Sequence, residues 1–505
     1  MDFSSFNQLF LAFILLIPIV ILARTVVAGT KYSPILIIVV FGLLMGFLLE
    51  KSGVAAAGLP EFTLVGFMSK VTVVVLIVTF FVGGQELKKL ISKKHLEIED
   101  LVIPSEEEII LGTKRTQLFF IVRSFFILIA IQGAYTIIMG KTGDSPLTQA
   151  YPILTYLGLM GAMIIIDSKA KITNKSLYLI KGFFEMIAIL CLLMASYFIS
   201  MWIKPIIPLP QIFFAMLLSA GFGFIFSNWR FGPTMRSLLF AGIPVVLAAN
   251  FLVGGSRIVQ AFQIDEMTKV MGYGFFGQLL WMFGGILLLI KFGKANHVRN
   301  LAPGMAGSLS HSGLTGACTA GDLGHEASAR APIMINIPFF GHIFVFTILA
   351  ISAQRNQLMA LPGALVVLVG IVVTIFALKT LKGANGIEDK EVKGLMLFSF
   401  GWQLMAVFGS FLLLHFSGID IWNAAMATSS AISHFGLFAA VQGDMFGHGT
   451  AALIPFIFAM PFLVHPLVFG MFGKAMKNDG VMPVKPVVVF VILGLIGSLL
   501  SLFVF

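Results

Sequence analysis

The 505-residue chain is 58% hydrophobic and only 11% charged, with a mean hydropathy of +1.00, which excludes a soluble globule and leaves a polytopic membrane protein. Its formal charge of +10 would suggest nucleic acid in a soluble protein. Here the basic residues sit in short loops between apolar runs, where they read as topology signals, so no nucleic-acid partner is expected.

Runs of about 20 apolar residues divide the chain into about 14–16 elements of an all-α fold. The first, near 6–23, follows Asp2 rather than a basic stretch and ends at Arg24, so it is expected to span the membrane within an N-terminal unit, 1–32, and not to be a cleaved signal. Elements two to six, near 33–49, 65–87, 117–139, 151–166 and 177–203, form a first unit, 33–205. Elements seven to eleven, near 210–227, 236–254, 271–292, 302–322 and 332–353, form a second, 206–355. Elements near 360–380, 394–416, 422–442, 451–473 and 485–505 complete a shortened third unit, 356–505. Cys191 and Cys318 both lie inside apolar runs, so no disulfide framework is implied.

Internal repetition organises these elements. The segment from Ser310 to Phe346 returns 123 positions later, from Ser433 to Phe469, with His311, Gly324, His325, Pro332, Pro338, His342 and Phe346 each meeting the same residue type. Upstream of it, Gln278, Phe283 and Gly284 match Gln403, Phe408 and Gly409, so elements nine to twelve and thirteen to sixteen read as tandem copies. GLMGAMIIID from Gly158 is a weaker echo of GLTGACTAGD from Gly313. FFVGGQEL from Phe80 matches FLVGGSRI from Phe251, and Gly46-Phe47 recurs as Gly223-Phe224. Units of five elements enter the membrane from opposite sides, which predicts an inverted repeat. Lys88, Lys89, Lys93 and Lys94 place the loop after element three in the cytoplasm. Counting onward puts Arg230, Arg236, Lys291, Lys294, Arg299, Lys474 and Lys477 inside, but leaves Lys379, Lys382, Lys390 and Lys393 outside and the second and third copies parallel.

Chemistry is expected where glycine, hydroxyls and histidine interrupt the apolar pattern. Helices near 302–322 and 422–442 are predicted to be broken or re-entrant, because glycine permits unwinding and the freed backbone groups and hydroxyls can then hold an ion or solute. Ser308, Ser310, His311 and Thr315, with Ser429, Ser430, Ser433 and His434, are the candidate lining. Asp322 and Asp444 are candidate sites for a coupling sodium ion or proton, since a carboxylate in lipid is costly unless paired or functional. His325 and His448 are candidate proton relays, whereas His342 and His465 read as structural. Fourteen residues from His311 to His325 span about 21 Å of straight helix, too far for one ion, and neither C-x-x-C-H nor H-E-x-x-H occurs. No metal or other cofactor is therefore expected.

From Pro34 to Phe346 the order of signals resembles the ion-transporter superfamily that contains glutamate:sodium symporters and cation:proton antiporters. An element ending in a glycine pair precedes a Gly/His-rich broken segment and then IMINIPFFGHIF. FFVGGQELKK from Phe80 is also similar to a helix end of the antiporters. The glycine-histidine motif of the symporters is matched by Ser310, His311 and Gly313, with Gly436 in the second copy. The resemblance implies that these residues and Ser308, Ser312 and Thr315 line a substrate and sodium site. It further implies a multi-pass protein of the bacterial cytoplasmic membrane, with a homodimer as a further expectation. The chain departs from that plan by carrying the histidine pattern in its second and third units. The expected function is secondary active transport of a small carboxylate-type anion coupled to sodium or protons, and not an enzymatic activity. The alternatives are a cation:proton antiporter, an ion channel, or a membrane-embedded metal or haem protein.

Overall fold

The computed structural model describes residues 35–52, 61–92, 175–206, 211–261, 266–310, 323–428, 432–433 and 462–504 with few gaps, and scattered positions in 16–26, 122–138 and at 457. Among the described residues the fold is helical, without strands. The helices are α1 (Ile35–Lys51), α2 (Glu61–Ile91), α3 (Lys175–Ile203), α4 (Gln211–Ile225), α5 (Pro233–Ser237), α6 (Ile243–Ser256) and α7 (Ile258–Ala261), with a π-helical turn, Leu238–Gly242, between α5 and α6. They continue as α8 (Met267–Lys291), α9 (Val298–Ser308), α10 (His325–Arg355), α11 (Ala360–Lys382), α12 (Glu388–Phe416), α13 (Ile421–Ala427), α14 (His465–Met476) and α15 (Val484–Phe503).

Among the described residues, five segments are long and apolar enough to cross a bilayer: Ile180–Ile203, Met267–Lys291, Leu361–Lys382, Glu388–Phe416 and Val484–Phe503. The chain is an integral membrane protein. α11 and α15 expose leucine, isoleucine and valine along their outer faces, among them Leu361, Leu368, Ile492 and Ile496. Side chains of that kind are stable against lipid tails and not against water. α10 bends by 43° between Ile337 and Gly341, around Pro338, whose missing N–H removes a rung of the helix.

Ion pairs fix which helix ends share a membrane face. Arg299 in the first turn of α9 lies 3.4 Å from Glu326 in the first turn of α10 and 3.7 Å from Glu391 at the start of α12. Arg330 adds contacts of 3.3 Å to Glu391 and 3.7 Å to Glu388. The loop before α15 joins the same face, where Val298 N donates to Gly480 O (2.9 Å) and Met482 N to Asn296 O (2.9 Å). Lys291, Lys294, Lys379, Lys382, Lys390, Lys393, Lys474, Lys477 and Lys485 therefore all border one basic face. Expecting Lys379, Lys382, Lys390 and Lys393 opposite Arg299 is corrected by the Arg299–Glu391 contact. α9 starts at the level where α10 also starts, and its 11 residues are about 16 Å long.

α2 and α4 run down to this face in parallel. Phe213, early in α4, packs its ring 5.9 Å from Phe346, far along α10. Further down, Gly83 of α2 meets Asn336 and Pro332, and Gln85 Nε2 donates to Phe226 O (3.0 Å) and Trp229 O (2.9 Å).

Helix crossings recur between echoed sequences. A Cβ on Gly46 of α1 would strike the Leu252 carbonyl of α6, and one on Gly223 of α4 would strike the Phe81 carbonyl of α2. Gly255 bears on Leu43 O and Gly84 on Ala220 O in the same reciprocal way. Only glycine lets backbones approach so closely. In the second half α8 packs on α15 through Gly494 against Leu280, and α12 packs on α11 through Gly370 against Met405 and the Gly401 carbonyl. The first helix of each tandem segment thus lies on the last helix of the other.

Candidate functional site

Beyond the short helices α9 and α13, a backbone bond recurs at equivalent residues. In α9, Ser308 Oγ turns back onto Gly304 O (2.9 Å), and the backbone N–H of Ser310 donates to Met305 O (3.0 Å). After α13, the N–H of Ser433 donates to Thr428 O (3.0 Å). Both are bonds to the carbonyl five residues back; the one to Thr428 belongs to a π-helical turn that includes Thr428 and Ile432. Met305 and Thr428 stand 123 positions apart, as do Ser310 and Ser433.

The starts of these short helices lie at opposite ends of α12, which at 29 residues is about 43 Å long. α9 begins beside Glu391 at the head of α12. α13 begins just beyond its tail, capped by Asp420 Oδ1, which accepts from Trp422 N (2.8 Å) and Asn423 N (3.0 Å). Asn423 Nδ2 donates to Glu266 Oε2 (2.8 Å) just before α8. Burial, and then the nearby Asp420 carboxylate, push the Glu266 pKa above the usual carboxylate range.

Between these two ends the described polar side chains are serines, histidines and glutamines. Ser310 Oγ lies 2.5 Å from His465 Nε2, and Ser433 Oγ lies 3.0 Å from His342 Nε2. Gln403 Nε2 is 3.0 Å from His342 Nε2, and Gln278 Nε2 donates to Leu309 O (3.4 Å). Aromatic rings hold both imidazoles: His342 stacks on Phe346 (5.1 Å between centroids, 11° between planes) and His465 on Phe462 (4.6 Å, 24°).

Of the candidate residues, Ser308, Ser310 and Ser433 are fully buried, and Ser310 and Ser433 each meet a histidine of the other copy. His325 opens α10 behind Gly324, whose φ of 94° is a backbone state that suits glycine. His311, Ser312, Gly313, Thr315, Asp322, Ser429, Ser430, His434, Gly436, Asp444 and His448 lie outside the described residues. Sequence reasoning set aside His342, His465, Gln278 and Gln403. All four recur in the repeat, and that recurrence was the signal available. Among the described residues no group of three or more His, Cys, Asp or Glu side chains is arranged to hold a metal ion. No protein-family description matches the chain, and neither curated proteins nor solved structures give a match.

Proposed function

We propose that the chain is a secondary active transporter that moves a small carboxylate-type anion, coupled to sodium or protons, by alternating access. One observation carries the reading. Two short helices start at opposite ends of α12 and lead toward the repeat-equivalent Ser310 and Ser433, which fits paired re-entrant elements around a midplane site. With α9 and its return counted as a hairpin, α8 to α11 cross three times. Three is odd, so the copy beginning at α12 is inverted relative to the copy beginning at α8. This reading keeps the inversion but moves it from five-element units to units of three crossings and one hairpin.

The C-terminal ends of α9 and α13 point inward, and helix C-termini carry partial negative charge. That favours a cation at depth, consistent with a coupling sodium ion or proton. The anionic solute rests on the resemblance to glutamate:sodium symporters. The basic face is cytoplasmic by the positive-inside rule, in a bacterial inner membrane.

Purified protein in proteoliposomes should take up at least one of radiolabelled acetate, succinate and glutamate when an inward sodium or proton gradient is imposed. Flux of equal size without either gradient would support a channel and overturn coupled transport.

A further inference from the structure

Two hydrogen bonds between the tandem copies are related by exchange. Ser310 belongs to the first copy and His465 to the second; Ser433 belongs to the second and His342 to the first. Serine to serine and histidine to histidine, the offset is 123 in both cases. Such reciprocity arises when two copies pack about a local two-fold axis, so that one contact is made twice. Ser310 lies two residues past the end of α9, and Ser433 directly follows the π-helical Ile432 beyond α13. Each histidine sits on the long helix of the opposite copy or at its start, locked by its ring stack. All four side chains are at most 2% exposed.

We infer that His342 and His465 are positioning residues for the solute site, each holding the serine at the broken end of the other copy's half-helix. The inference rests on the transporter reading. It adds that neither copy completes its own half of the site. A serine hydroxyl rotates freely and can donate or accept. A fixed imidazole at 2.5–3.0 Å sets which way the hydroxyl proton points, and so which partner the serine offers to a bound solute. Removing the imidazole leaves the serine in place and lifts that constraint on its hydroxyl. The expected loss is therefore in affinity, before any loss of folding.

The test uses the full chain in proteoliposomes, with whichever of radiolabelled acetate, succinate and glutamate the wild type carries. His465→Ala and His342→Ala should each raise KM by about three- to tenfold, the value of one hydrogen bond, with a smaller change in maximal rate. His465→Gln should restore KM, because a glutamine amide reaches the position of imidazole Nε2. Ser310→Ala combined with His465→Ala should cost no more than the worse single variant, since the two act through one contact. In a Cys191→Ser, Cys318→Ser background, Ser310→Cys and Ser433→Cys should both be protected from maleimide by the transported solute. Unchanged KM in both histidine variants, or cysteines that the solute does not protect, would overturn the inference while transport stands. A wild type that carries none of the three solutes would instead overturn the transporter reading and this inference with it.

Discussion

The same pair of residues closes the protein at two opposite ends, and the two closures are chemically different. At the basic face Asn300 and Glu391 meet through Arg330, whose guanidinium Nη1 donates to Asn300 Oδ1 and lies 3.3 Å from Glu391. At the other end their repeat counterparts, Asn423 and Glu266, bond directly at 2.8 Å. Leu453 takes the place of Arg330 in the second copy, and Trp422 that of Arg299. One scaffold is thus stitched by charge on one side and by a neutral donor and a carboxylate on the other. Buried charges tolerate the loss of a partner badly, whereas an amide–carboxylate bond is more easily exchanged with water. The basic face should be the harder of the two to open.

Arg330→Ala gives the largest expected effect. It removes the nearer of the two arginine partners of the nearly buried Glu391 and should cost up to about 3–5 kcal/mol of stability, seen as a fall in the thermal unfolding midpoint in detergent. Pairing it with Glu391→Ala should recover much of that loss, and failure to recover would show that packing rather than charge holds the basic face. Asn423→Ala, the counterpart change at the other end, should cost about 1–3 kcal/mol in the same assay. Equal losses at the two ends would break the comparison.

A smaller effect concerns pH. Because the Glu266 pKa is raised in the folded protein, the native state holds a proton that the unfolded state has released over the window between the two values. Stability therefore falls as pH rises from the ordinary carboxylate range through the raised value. Glu266→Gln should flatten that slope in a pH series of unfolding midpoints, whereas an unchanged slope would assign it elsewhere. Least of all, Glu326→Gln removes a pair whose carboxylate is half exposed, 52%, and should change stability by no more than about 0.2–1 kcal/mol.

Much of the site could be read from residue identities, because tandem copies reveal themselves without any structure. The equivalence of Ser310 with Ser433, and of His342 with His465, is visible in the sequence. That each serine meets the other copy's histidine is not visible. Repetition says that two residues share an environment, and leaves open which partner provides it. From the sequence alone His342 and His465 read as structural, because both fall in apolar runs and hydropathy carries no information about what a buried imidazole faces.

Topology shows the same division. Near 302–322 the apolar run is as long as a full span, and composition cannot distinguish one crossing helix from a half-helix and its return. Counting that run as a crossing puts four lysines on the wrong face and makes the copies parallel. The ion pair of Arg299 with Glu326 puts the starts of α9 and α10 at one level, which a count of apolar runs does not do.

By itself the sequence determined that this is a helical membrane protein, that the segment 310–346 recurs at 433–469, and that glycine, serine and histidine interrupt the apolar runs there. These are local properties: apolar run length, residue identity and backbone freedom. Only the tertiary structure decided which helix ends share a face, where α9 stops, and that the two copies exchange serine and histidine. Those depend on contacts between residues 27 to 155 positions apart, which no local pattern encodes.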